Sequence, residues 1–121
     1  MDSNNSVVLT RRVTITSSNP ITREEFIKKI KESVEEIINF LKKNECTKLG
    51  HIGLISTTDG EDYLELCVSD IKQKPQIKGA LRKKFEKIKL TFNIIEFGIP
   101  KEDIEKKINE ELKNIQEYFI I

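Results

Sequence analysis

Seven apolar residues, Phe26, Ile27, Ile30, Val34, Ile37, Ile38 and Leu41, recur mostly at steps of three and four. Such spacing places them on one side of an amphipathic helix, and that side must be buried against a second layer. Thr22, with Glu25 three residues on, forms a capping box, and Ile21 with Phe26 forms a hydrophobic staple. Lys42, Lys43 and Asn44 favour the C-terminal end through charge and tolerance of left-handed backbone. The pattern predicts a helix over 22–43. A second stripe, Ile104, Ile108, Leu112, Ile115 and Phe119, predicts a helix over 101–118, with Glu102 and Asp103 suited to its positive N-terminus.

Between the helices the periodicity changes to two. Ile88, Leu90, Phe92 and Ile94 alternate with Lys89, Thr91 and Asn93, which predicts a strand over 88–97. Val7 to Thr16 is rich in β-branched residues and reads as a strand, followed by a turn at Ser17-Ser18-Asn19-Pro20. Residues 48–58 and 62–70 flank Asp59-Gly60, a hairpin signal. In the first of these strands Ile52 and Leu54 share one face, Leu49 and Ile55 the other. In the second, Leu64, Leu66 and Val68 face away from Tyr63, Glu65 and Cys67. The stretch 75–86 fits two patterns. Ile77, Leu81, Phe85 and Ile88 have helical spacing, and Pro75 suits a first turn, which predicts a short helix. Gly79 opposes it.

The resulting order, strand-helix-strand-strand-helix-strand, resembles the split β-α-β arrangement of ferredoxin-like domains. The expected fold is α+β: a ferredoxin-like βαββαβ two-layer sandwich plus a C-terminal helix. If the basic stretch is loop or strand instead, the order becomes βαβββα, whose end is similar in topology to double-stranded-RNA-binding domains. No residue pattern ties the chain to a family.

At 121 residues the expectation is a single α+β domain over 1–121, with a disordered tail at 1–6. No segment approaches the ~20 apolar residues of a membrane span, and the polar start has no hydrophobic leader. Cys46 and Cys67 are isolated and form no CxxC, as expected of reduced thiols in a cytoplasmic protein.

Charge is where function shows. Eight basic residues fall between Lys72 and Lys89, namely Lys72, Lys74, Lys78, Arg82, Lys83, Lys84, Lys87 and Lys89, against the single acid Glu86, in a chain whose net charge is +1. A concentrated positive field attracts anionic partners. Lys78, Arg82, Lys83, Lys84 and Lys87 are the expected contact residues. The expected function is a small non-catalytic binding or assembly module. It would be an accessory or complex subunit, or a homo-oligomer, that docks on an acidic macromolecular surface. The same residues would serve binding to RNA or DNA backbone. Phe85 is the only aromatic in the run, and Lys89-Leu90-Thr91-Phe92-Asn93 lacks the glycine and paired aromatics of base-stacking sheets.

A third reading centres on His51, the only histidine, between Gly50 and Gly53, as part of a small-ligand site or an enzyme. A lone histidine does not complete a metal set. The acids Asp59, Glu61 and Asp62 lack the ligand spacing of a calcium loop. No phosphate loop, nucleophile elbow or metalloprotease motif occurs. The sequence therefore assigns no catalytic residue, metal or cofactor. Tyr118-Phe119-Ile120-Ile121 is unusually apolar for a chain end.

Overall fold

The computed structural model describes residues 6–44, 46, 48–60, 62–81 and 83–120. Strand β1 (Ser6–Ile21) leads into helix α1 (Arg23–Lys43). Four strands follow, β2 (Lys48–Thr57), β3 (Tyr63–Val68), β4 (Gln76–Ala80) and β5 (Phe85–Phe97), and helix α2 (Lys101–Ile120) closes the chain. The protein is a mixed α+β fold with one five-stranded sheet, order β1-β5-β2-β3-β4, in which every neighbouring pair is antiparallel.

Both helices arise from the signals read in the chain. Thr22 caps α1, its Oγ1 accepting the Glu25 N–H at 3.2 Å, and Asn44 closes it by donating from backbone and side chain to the Phe40 carbonyl. Phe26, Ile30, Val34, Ile37, Ile38 and Leu41 are buried, as are Ile104, Ile108, Leu112, Ile115 and Phe119 of α2. They share one apolar core with Leu9, Ile15, Ile52, Leu54, Leu64, Leu66, Leu90, Phe92 and Ile94 from the inward side of the sheet. Phe26 meets Phe85 edge-on at 5.4 Å and Phe119 at 6.1 Å, joining the two helices to the start of β5.

Four expectations need correction. The stretch 75–86 is not a helix. It contains β4 and a connection that reaches β5 at Phe85, so the order is βαββββα, and the ferredoxin-like βαββαβ does not describe it. The βαβββα alternative is nearer but lacks β4. Gly79 takes φ +95°, which a helix does not accommodate. Ile77 pairs opposite Leu66, while Leu81 and Phe85 bury themselves on either side of the connection. The turn expected at 17–20 is instead the irregular end of β1, where the register with β5 shifts between Thr16 and Ile21. Leu49 is buried together with Ile52 and Leu54, because the register slips between Leu49 and His51. One extra residue in a strand reverses the facing of whatever precedes it. Ser6, expected within the tail, begins β1 and pairs with Phe97, and the rest of that expectation, 1–5, lies outside the described residues.

Candidate binding face

The helices cover one side of the sheet and leave the other open. Side chains alternate across a strand, so the register lists the outward rows directly. One row runs Arg12–Thr91–Ile55–Glu65–Lys78 across all five strands. The next runs Thr14–Lys89–Thr57–Tyr63–Ala80, and Thr16 lies opposite Lys87 beyond it. On the other side are Thr10–Asn93–Gly53–Cys67–Gln76, then Val8–Ile95–His51 and Ser6–Phe97–Lys48. Glu65 is the only carboxylate in these rows, against Arg12, Lys48, Lys78, Lys87 and Lys89. Val8, Ile55 and Tyr63 lie among them, 60%, 40% and 47% exposed.

The sequence-selected cations divide. Lys78 stands on β4 opposite Glu65. Lys83 and Lys84 lie in the connection between β4 and β5. They project outward because Leu81 before them and Phe85 after them are anchored in the core. Lys87 follows on β5. Lys83, Lys84 and Lys87 gather at the end of the sheet that carries the β2–β3 turn, around a cavity of about 620 Å³ also lined by Asp59, Asp62 and Glu86, which Lys78 does not line. The Lys83 backbone N–H donates to Asp62 Oδ2 at 3.4 Å. Arg82 lies outside the described residues. Lys72 and Lys74 occupy the β3–β4 connection at the opposite end and do not join the cluster.

Ion pairs among the described residues are Arg11–Glu105, Lys107–Glu111 and Lys113–Glu117, all outside the basic segment. Lys78, Lys83, Lys84, Lys87 and Lys89 are exposed, and none is paired with a described carboxylate.

Cys46, His51 and Cys67 are each half-buried. Cys67 Sγ donates to Glu65 Oε1 at 2.9 Å, and burial, reinforced by Glu65, pushes its pKa to about 11. A nucleophilic cysteine needs the reverse. Cys46 is likewise raised, chiefly by burial, and donates to the Lys48 carbonyl at 3.3 Å. His51 lies across Gly53, where a Cβ would come within 2.7 Å of Nε2. This explains the glycine by close approach of a side chain. Among the described residues no group of three or more His, Cys, Asp or Glu is placed to hold a metal ion. No described helix is long and apolar enough to cross a membrane.

Arg12, Thr14, Thr57 and Thr91 were not among the residues singled out from the sequence. Their only signal there is polar alternation in strands whose other positions are apolar.

No family model matches the chain, and no curated protein matches it. Among solved structures it is similar to the Zn(II)-bound YjiA GTPase from E. coli, at 15% identity and a TM-score of 0.46, over 85% of this chain and 29% of that one. A Zn(II)-bound triple mutant of the same GTPase gives 13% identity and a TM-score of 0.45 over the same shares. The chain thus spans less than a third of the length of the structures it resembles.

Proposed function

We propose that this chain is a non-catalytic binding module, a subunit of a larger complex, that docks an acidic partner protein through the open face of its sheet and the basic end beside it. The observation that carries this reading is the set Lys78, Lys83, Lys84, Lys87 and Lys89, exposed without a described carboxylate partner. Lys83, Lys84 and Lys87 share their cavity with Asp59, Asp62 and Glu86, and Lys78 stands opposite Glu65, so the excess positive charge is that of the outward rows as a whole, which an anionic partner would complement. Val8, Ile55 and Tyr63 on the same face favour a protein partner, because interfaces combine apolar contact with charge. A second copy pairing face to face would bring cations against cations, so the occupant is a different molecule. The free thiols Cys46 and Cys67 agree with a reducing, cytoplasmic setting.

The test compares the chain with its Lys83→Glu/Lys84→Glu/Lys87→Glu variant on poly-glutamate and on generic duplex RNA and DNA, across salt. Poly-glutamate binding should weaken at least ~10-fold in the variant, the scale of several lost charge contacts. Equal binding by the variant would remove the basic end from the docking surface. Tight duplex binding that falls with log salt at roughly 0.9 per phosphate neutralised would move the assignment to nucleic-acid backbone.

A further inference from the structure

On the open face, next to the basic end, Arg12, Thr14, Thr57, Lys89 and Thr91 line a depression of about 310 Å³. Its floor is the paired backbone of β1 and β5 at Val13 and Leu90, whose side chains point to the core side. Thr14, Lys89 and Thr57 form one row across three strands. Arg12 and Thr91 are opposite each other in the row beside it. Side chains directly opposite on a sheet stand roughly 4.5–5.5 Å apart at Cβ, and diagonal ones within reach of long side chains. Two cations and three hydroxyls therefore share one patch three strands wide, in which Arg12 and Lys89 are diagonal neighbours across β1 and β5. The only carboxylate in these rows, Glu65, is two strands away from Thr91 and accepts the Cys67 thiol. Neither Arg12 nor Lys89 is in an ion pair with a described carboxylate.

We infer that this depression is an oxyanion site for a phosphomonoester borne on a side chain of the docking partner. Two convergent cations match a charge of about −1.5 to −2, which a monoester carries at neutral pH and a phosphodiester does not. Arg12 supplies a planar fork of donors, Lys89 a point charge, and the threonines neutral O–H donors to the remaining oxygens. The depression is shallow and opens on the uncovered side of the sheet. A free small anion would stay largely hydrated there, whereas a group held by a docked chain gains from the contacts around it. The assignment rests on the docking function proposed above but uses none of its five named cations except Lys89, so the two fail separately.

The experiment measures binding of an acidic peptide carrying one phosphoserine, the same peptide with serine, and the same peptide with the phosphoserine as its methyl diester, at fixed ionic strength. The phosphopeptide should bind roughly 10-fold or more tightly than the serine peptide, the worth of one or two charge-assisted hydrogen bonds. That ratio should collapse towards one in Arg12→Gln/Lys89→Gln, fall several-fold in Thr14→Val/Thr91→Val, and shrink below the second phosphate pKa of about 6. Lys83→Glu/Lys84→Glu should weaken both peptides alike and leave the ratio unchanged. A ratio near one, a ratio indifferent to Arg12 and Lys89, or equal binding of the methyl-diester peptide overturns the inference. In the first two cases a persistent Lys83/Lys84 effect on both peptides leaves the docking function standing.

Discussion

Glu96 shows how one side chain can cost stability and still be required. It is fully buried on the core side of β5, where Oε1 accepts the Ile99 N–H at 3.0 Å and Oε2 has no geometrically formed hydrogen bond among the described residues. The bond closes the turn at Gly98 (φ +110°) that leads into α2. Burial raises the carboxyl above its ordinary value, with the Ile99 N–H and the Cys46 thiol opposing. A raised folded-state pKa means that folding favours the protonated form. The stability gained is full below the unfolded pKa of roughly 4.3 and is lost as pH rises through the folded one. Glu96→Gln retains the acceptor and removes the charge. Urea midpoints should place it above the native chain at pH 7, with the gap closing as pH falls towards 4. Glu96→Leu leaves a buried N–H unsatisfied and should lose about 1–3 kcal/mol at either pH. A native chain whose stability advantage over Glu96→Gln grows with pH would contradict this account.

Among the elements, β4 is where sequence and structure part. Ile77, Leu81, Phe85 and Ile88 have helical spacing, yet the core requires only that each reach it. A short strand, an anchored connection and a second strand meet that requirement as well as a helix does, and periodicity over so short a run cannot separate the two. Gly79 was the discriminating residue. At φ +95° a Cβ would stand 2.6 Å from the Tyr63 carbonyl and 2.7 Å from its ring. Gly79→Ala should therefore cost about 1–3 kcal/mol and strip hydrogen-exchange protection from 76–80 first. Gly53→Ala, which meets only the movable His51 ring, should cost less. Equal costs would mean that backbone strain is not what Gly79 relieves. A short edge with Lys78 and a left-handed glycine also resists strand addition by another chain. At the opposite edge, Arg11 donates to the Thr10 carbonyl and Gln116 to that of Thr14. The long regular elements were legible because caps, stripe and alternation agreed. The oxyanion site was not, because Arg12 and Lys89 meet only through the β1–β5 register, which no local pattern encodes.

At the scale of the molecule, charge is sorted by side. Its described ion pairs involve the helices, two of them within α2 and the third joining α2 to Arg11, whereas the outward rows hold five cations and one acid. Lys87 and Lys89 project from the same side of β5 at alternate positions, roughly 7 Å apart, inside the ~10 Å screening length of 0.1 M salt. Such an arrangement opposes folding slightly and is expected of a surface shaped for a partner, since activity and stability compete at the same residues. Lys87→Glu should accordingly raise the stability of the free chain, by about 0.3–0.5 kcal/mol in low salt, while weakening acidic-partner binding. The gain should vanish at 0.5 M NaCl, where exposed charges are screened. A loss of stability on charge reversal would instead mean that Lys87 is compensated within its own fold. The basic end would then be a solvated face, and the docking function would lose the observation it stands on.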